Sequence, residues 1–380
     1  PLYREGRSPH ADATKIAEQR WTLSKVQLIF ASYAPSVIRY HKAQAGAFEY
    51  REDSETIPHN ATLIDIRNEA RSTIGLSLQK AIQETLAQKK GVLLLLNRRG
   101  LATMVLCSDC KKVCICPHCE VPTVLHNASR RLQCHHCEFQ EPLPLFCAVC
   151  KNPDLRLRGK GTEKVVEEIQ KMFEAATIAR RDLDHPHLPT THADITIGTQ
   201  MVLSSIPPAL MHHVGLVGVV SADTFLNLPM VSAPERTFQL LVHIALLAAS
   251  HHIPLMVQTL LPEHHAILSA LNNNAAAFYA QELSTRKQFS YPPYSHLIKL
   301  SALYKTSSKG QQHAEQLYQH LQSIAGNLFK VLPPRLHEQK IRTQYQWSLL
   351  IKSPMTPDKE SVHTLLAKVP LEWNIEVDPE

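Results

Sequence analysis

Glycine is scarce in this chain, with 12 among 380 residues, roughly 3% against an ordinary ~7%. Loops that grip phosphate with backbone amides are built from glycine, so few such cradles can exist here. A strong charge imbalance is also missing. Lys and Arg number 40 and Asp and Glu 34, a net charge of +6. That balance permits a nucleic-acid partner without demanding one, and it weakens the case for an obligate basic DNA binder. Long apolar runs are absent too. The longest, Phe238 to Ala249, is about half of the ~20 residues that span a bilayer. The first residues, PLYREGRSPH, are polar and carry no secretory leader pattern. The expectation is a cytoplasmic protein with no membrane partner. Pro1 stands where Met would begin a chain, as expected of a processed, excised or partial product. Cysteine is missing everywhere except between Cys107 and Cys150, which hold all nine. Cysteines confined in this way point to a metal module in a reducing compartment rather than to scattered disulfides.

What is present is enough apolar material to fold. Hydrophobic residues make up 44% and charged residues 19%, and the length suggests two or three domains. Val26 to Phe30 and Thr62 to Ile66 read as short strands. Leu78, Ala81, Ile82, Thr85 and Leu86 fall on one helical face, with Ser77 as the expected N-cap. Gly91 then opens Val92-Leu93-Leu94-Leu95-Leu96, a continuous apolar run of the kind that lies in a parallel sheet covered on both faces. Beyond the cysteines, Val165, Val166, Ile169, Met172 and Phe173 share a second helical face. Strands are expected at 194–197, 216–220 and 254–257, and a buried helix at 238–249. Strands alternating with helices imply an α/β domain with a largely parallel sheet, into which the cysteine block is inserted. From about Gln288 the texture changes to a strand, a helix near 310–325 and a strand containing Trp347. Residues 285–380 are therefore expected to form a separate α+β domain.

Eight cysteines form four CxxC pairs: Cys107/Cys110, Cys116/Cys119, Cys134/Cys137 and Cys147/Cys150. Two intervening residues let both thiolates of a pair reach one ion from a tight turn, and a second pair completes a tetrahedron. Eight ligands make two four-cysteine zinc sites. Both are filled by protein, so both are structural and leave no open position for water. Spacing leaves the pairing open between a nested arrangement, outer with outer and inner with inner, and a consecutive one. Cys114 is a spare thiol. His118, His126, His135 and His136 have no metal work left to do. Basic and acidic side chains balance between 107 and 150, and eight thiolates on two zincs add a formal −4. The module is therefore not an obvious phosphate-binding surface. It would brace the fold, separate strands by shape or dock a protein.

The cysteine spacing x2, x5, x2, x14, x2, x9, x2, placed directly after Leu96-Asn97-Arg98-Arg99-Gly100, resembles the primosomal protein N′ (PriA) family of superfamily 2 DNA helicases of replication restart. Other stretches are alike in the same order: Gly161-Thr162-Glu163, Ile197-Gly198-Thr199-Gln200-Met201, Ala222-Asp223, Leu226-Asn227-Leu228-Pro229 and Glu235 to Leu241. Tyr291-Pro292-Pro293-Tyr294, Tyr345-Gln346-Trp347 and Val377-Asp378-Pro379 continue the likeness to the end. It covers nearly the whole chain. The resemblance implies that 56–106 and 151–284 form the second RecA-like helicase lobe, 107–150 the zinc-binding module and 285–380 the family's C-terminal domain. Residues 1–55 would be a remnant of the first lobe with its linker.

Departures from the family pattern bear on chemistry. The family's GxxxxGK[ST] loop and DEEH motif belong upstream of Pro1, and neither pattern occurs here. Those motifs hold the nucleotide phosphates and Mg²⁺. The family's GSATPS appears as Ala31 to Ser36 without its glycine and threonine, and the loop near Ser204-Ser205 is altered. QxAGRAGR becomes His243-Ile244-Ala245-Leu246-Leu247-Ala248-Ala249-Ser250, so Leu247 and Ser250 stand where two arginines would meet the γ-phosphate. An arginine finger contributes on the order of 10³–10⁵ in rate. ATP, a cofactor in the family, is not expected to be used by this chain alone, and no catalytic residue is assigned. Arg98, Arg99 and Gln200, at strand ends, are the candidate nucleic-acid contacts. Tyr291, Tyr294 and Trp347 have two readings, core residues, the commoner fate of such side chains, or platforms for base stacking.

Together these features describe a PriA-like DNA-binding protein of replication restart, an α/β helicase relative that holds two zinc ions. Branched or single-stranded DNA would be its partner, and primosome or replication proteins would be others. Two alternatives stand beside it. One is half of a split ATP-dependent helicase completed by another chain, and the other is a zinc-stabilised protein-interaction scaffold.

Overall fold

The computed structural model describes residues 12–379 apart from 25, 53–60, 70–72, 97–102, 118–122, 127–130, 135–138, 159–161, 182–192, 204–207, 227–229 and 337–343. The chain divides into two compact units. One comprises Tyr33–Ser36 with Gly46–Glu282, and the other Pro1–Ser32, Val37–Ala45 and Leu283–Glu380.

The first unit holds a six-stranded sheet. Its strands are β1 (Ala61–Asp65), β2 (Gly91–Leu95), β8 (Ile178–Arg181), β9 (Ile195–Gly198), β10 (Val214–Val219) and β11 (Leu255–Thr259). They lie in the order β1-β11-β10-β2-β9-β8, and every pairing is parallel. All five residues of β2 are buried, as a strand covered on both faces requires. Val92, Leu94, Ile195, Ile197 and Leu216 join one core with Leu78 and Ile82 of the helix Leu76–Ala87, and with Val165, Val166, Ile169 and Phe173 on or just beyond the helix Thr162–Met172. The alternate residues Leu93, Val217, Val219 and Val257 are buried as well. The helix Ala233–Ser250 buries Phe238, Leu241, Ile244, Ala245 and Ala248, as its nearly continuous apolar run implies.

Between β2 and β8 in the chain lies a second, antiparallel sheet of β3 (Thr103–Cys107), β4 (Val124–His126), β5 (Arg131–Gln133), β6 (Gln140–Pro142) and β7 (Leu155–Arg158), ordered β6-β5-β4-β3-β7. Its apolar core is small: Val105, Leu125 and Leu132, with Cys114, Leu143 and Leu155 against them.

The other unit is built on an antiparallel sheet of β12 (Ser295–Tyr304), β13 (Lys330–Val331), β14 (Arg335–Leu336), β15 (Tyr345–Pro354) and β16 (Asn374–Val377). β12 and β15 pair over ten residues, from Ser295 opposite Pro354 to Tyr304 opposite Tyr345. Ala314, Leu317 and Leu321 of the helix Ser307–Ala325 pack with Leu300, Ala302, Leu349 and Ile351. Gly310 lies where that helix passes Trp347, and a Cβ there would come within 2.5 Å of the indole nitrogen and 2.9 Å of the Tyr304 ring.

Two local expectations are overturned. Val26 to Phe30 is not a strand. Ile29 stays largely exposed, and the Phe30 ring lies under the Arg39 guanidinium, 4.6 Å from its centroid. The helix Leu76–Ala87 is not capped by Ser77, because Gly75 holds the cap position and Ser77 lies inside the first turn. The Glu69 carboxylate accepts from the N–H of Leu76, and the Gln258 side chain accepts from that of Gly75 at 2.7 Å. No described helix is long and apolar enough to cross a membrane.

Candidate metal centre and strand-end residues

The four-thiol cluster lies at one end of the β3–β7 ladder. β3 ends at Cys107, which pairs with Leu155 of β7, and the N–H of Ser108 extends the ladder to the Asp154 carbonyl at 2.9 Å. Each strand end continues into a CxxC turn. The ligand atoms of Cys107, Cys110, Cys147 and Cys150 all lie within 4.8 Å of one another, and among the described residues this is the only group of three or more potential metal ligands. Cys107 and Cys150 approach to 3.4 Å and Cys110 and Cys147 to 3.5 Å. These are not disulfide distances. A zinc tetrahedron with 2.3 Å bonds has sulfur–sulfur edges of about 3.8 Å, so this donor set suits the ion in both number and span. Of the two pairings left open by spacing, the outer pairs adopt the nested one.

The two turns are near copies. After each second cysteine comes a lysine in the left-handed region, Lys111 at φ 60° and Lys151 at φ 62°. Each lysine ammonium reaches back to the carbonyl of the residue after the first cysteine: Lys111 to Ser108, and Lys151 to Ala148 at 3.2 Å. The left-handed step turns the next amide toward the sulfur. The N–H of Lys112 thereby serves Cys110, and that of Asn152 serves Cys150. Glycine normally fills such a position because a Cβ is strained there. In the sequence the trace of this device is a lysine after both outer CxxC pairs, a signal that pair spacing alone passes over.

Proton affinities within the cluster diverge. Burial and the neighbouring thiols of Cys150, Cys147 and Cys107 push Cys110 up to about 12, against the Lys112 amide. Burial also raises Cys147, but the amides of Cys150 and Val149 outweigh it and bring the thiol down to about 7. At Cys150 the Asn152 amide is outweighed by burial and by contact with Cys107, and the thiol is raised. Four thiolates this close repel one another unless a cation sits among them, a role that zinc would fill.

Of the inner pairs, Cys116 and Cys134 are buried in one cluster with Phe139, and the Cys134 N–H donates to the Phe139 carbonyl at 2.8 Å. Cys119 and Cys137 lie outside the described residues. Cys114 packs into the small apolar core. Burial first, and then the charges of Cys147, Glu141 and Cys107, push its thiol up to about 11.

The strand-end candidates are met only in part. β2 and β9 are neighbours, with Leu95 opposite Gly198. A side chain on Gly198 would collide with Val202. That close approach seats the short helix Gln200–Leu203 at the end of β9 and leaves Gln200 exposed at its start. Arg98 and Arg99 lie outside the described residues, as do Asn227 to Pro229 and Ser204-Ser205. Asp223, which follows β10, is fully buried, and burial pushes its carboxyl up to about 6. It accepts from the Thr259 hydroxyl and from the Leu260 N–H at 2.8 Å, so it ties two strand ends together.

Of the two readings of the aromatic residues, Tyr291 and Trp347 take the core one. Tyr291 is 1% exposed and Trp347 7%, too little for a base to stack on either. Tyr291 instead carries the Lys352 ammonium 3.8 Å from its ring centroid. Tyr294 is half-buried and meets the edge of His41.

The class these features define is an α/β protein with an inserted cysteine-rich module suited to zinc. Within it, residues 116–142 match the PriA DNA helicase Cys-rich region (CRR) domain. Similarity extends well beyond that module. The chain is 31% identical over 372 residues to the replication restart protein PriA of Bacillus subtilis (strain 168), covering 92% of this chain and 46% of that protein. It is 31% identical over 382 residues to the replication restart protein PriA of Thermotoga maritima, covering 95% and 49%. With the replication restart protein PriA of Chlamydia pneumoniae it shares 29% identity over 411 residues, covering 100% and 54%. The chain belongs to the PriA family, and it spans about half the length of the curated relatives it matches.

Proposed function

We propose that this chain is a zinc-braced, DNA-binding component of replication restart that does not turn over ATP by itself. The observation that carries the reading is the convergence of four cysteines, 37 to 43 residues apart in sequence between the two pairs, in a chain similar to PriA over nearly its whole length. In this reading the outer pairs hold one zinc, and Cys116, Cys119, Cys134 and Cys137 hold a second. Bound zinc supplies a fixed positive centre that locks the two turns together. The chain's own residues orient the thiolates through the amides of Lys112 and Asn152. The parallel six-stranded sheet supports a second RecA-like lobe. Gln200, at the end of β9, would contact DNA together with Arg98 and Arg99, which follow β2 in the sequence. Leu247 and Ser250 replace the arginines that the resemblance expects. The Ser250 hydroxyl donates to the Leu247 carbonyl at 3.0 Å, a local bond with no catalytic content.

The test is an anisotropy titration of the zinc-loaded chain against forked, single-stranded and duplex DNA at two salt concentrations. Preference for the fork supports the reading. DNA-stimulated ATP hydrolysis by the isolated chain would defeat it. Metal analysis of the reduced protein should count two zinc ions.

A second reading, a protein-interaction scaffold, is favoured by one observation. Leu145, Phe146 and Val149, around the Cys147 turn, are 80%, 55% and 67% exposed, which is unusual for apolar side chains on a turn this constrained. Folding without any nucleic-acid affinity would decide for the scaffold.

A further inference from the structure

We propose that His296, Asp378 and Lys15 form a proton-dependent latch that holds the C-terminal strand β16 against β12. β16 needs such help. It is an edge strand of four residues, paired with β12 only from Ile298–Val377 to Ser301–Asn374. Asn374, Ile375 and Val377 are exposed, so the strand's own residues bury little apolar surface, and the buried Trp373 just before it anchors only its start.

The latch lies at its end. Asp378 directly follows β16 in a left-handed conformation, φ 49°. Its N–H donates to the Leu297 carbonyl at 2.6 Å, and its carboxylate accepts from the Leu297 N–H at 3.1 Å. The His296 Nδ1 lies 3.2 and 3.0 Å from the two carboxylate oxygens. Lys15, from the helix Ala13–Ser24, places its ammonium 3.2 Å from Oδ2. The Met355 backbone, just past β15, adds a smaller contribution that favours the protonated ring. With Nδ1 against both carboxylate oxygens, the ring donates there and joins β12 to the chain beyond β16.

The electrostatics run the same way. Asp378 raises the His296 pKa above its ordinary value, against burial and the like charge of Lys15. Burial would raise Asp378, but His296, the Leu297 amide and Lys15 hold it below the usual carboxylate range. Lys15 is the third charged group in contact with the pair. A histidine raised in the folded state contributes stability that is complete below about 6.5 and is lost as pH rises through its folded pKa. An aspartate lowered in the folded state contributes above about 3.9 and fails as pH falls through its own folded pKa. The latch is therefore strongest in mildly acidic solution and loosens toward alkaline pH. Loosening bares the hydrogen-bonding edge of β12, a pairing site for another extended segment.

The test uses the full chain in two measurements. Carbon-13 histidine NMR, assigned with His296→Gln, gives the His296 midpoint. Hydrogen-exchange mass spectrometry from pH 5.5 to 9, corrected for intrinsic exchange, gives the opening equilibrium of the segment 371–379. The midpoint should lie above that of free histidine. The opening equilibrium should grow with pH tenfold for each unit of that displacement, since one pKa unit is a factor of ten between protonation states. His296→Gln should open freely at every pH, Asp378→Asn should lose protection even near pH 6, and His320→Gln, at an exposed position of the helix Ser307–Ala325, should behave as the parent. A His296 midpoint at or below about 6.5 would overturn the proposal. So would the same pH profile of the segment in the parent and His296→Gln.

Discussion

Lys151 offers the sharpest test of how the cysteine turns hold their ligands. It occupies a left-handed position (φ 62°) and its ammonium bonds the Ala148 carbonyl at 3.2 Å. A side chain there costs about 1 kcal/mol of backbone strain relative to glycine, and an exposed hydrogen bond of this kind returns about 1 kcal/mol. Lys151→Gly removes both terms, so its zinc affinity should stay within about threefold of the parent. Lys151→Val loses the hydrogen bond and adds a β-branch where it is poorly tolerated, for a combined cost of about 2 kcal/mol or roughly 30-fold in affinity. The assay is competition for zinc between the reduced full chain and a chromophoric chelator at fixed pH. Equal affinity of the Val and Gly variants would refute the claim that the left-handed step aims the Asn152 amide at Cys150. Lys111 should repeat the pattern at the other turn.

Cys147→Ser should lower the zinc count by metal analysis from two to one and destabilise the module, since structural zinc binding is folding energy. Gly310→Ala should destabilise the C-terminal unit by about 1–3 kcal/mol in denaturant unfolding. The same change in an exposed helix would stabilise by about 1 kcal/mol, but here the Cβ would lie within 2.5 Å of the Trp347 nitrogen. Asp223, pushed up to about 6 by burial, binds its proton more tightly folded than unfolded. Its contribution to stability should therefore rise as pH falls from about 6 toward 4, on the order of 2–4 kcal/mol in all. Unfolding midpoints at pH 7 and 5 should show about half of this gain in the parent and none in Asp223→Asn.

Much of the architecture was legible because apolar spacing is a direct consequence of burial. Val92 to Leu96 reads as a strand covered on both faces, and the stripe from Val165 to Phe173 as one side of a helix. The cysteine pairs pointed to a metal module because four CxxC turns confined between Cys107 and Cys150 have the ligand number and spacing of zinc sites. What stayed hidden depends on partners far away in the chain. The N-terminus of the helix Leu76–Ala87 is set by Glu69 and by Gln258, so Ser77 misled although its residue type was right for a cap. Val26 to Phe30 has the composition of a strand but no sheet edge to join. Tyr291 and Trp347 look the same in sequence whether they face solvent or core, and only the ladder between β12 and β15 decides it. At the cysteines, spacing gave the ligands but not their pairing, which depends on β3 and β7 lying side by side.

That last arrangement has a consequence for how such a module can be carried at all. β3 leads into the cysteine region and β7 leads out, and the two are hydrogen-bonded from Met104–Arg158 to Cys107–Leu155. For the host sheet, the whole stretch between them amounts to a single hairpin, however many residues its tip contains. The tip is stitched back onto the stem, because β4 returns to pair with β3 at Thr103–Leu125 and Met104–Val124 and Leu125 and Leu132 share the small core with Val105. The module is thus one sheet whose entry and exit strands are neighbours, so the chain leaves it beside the place where it came in.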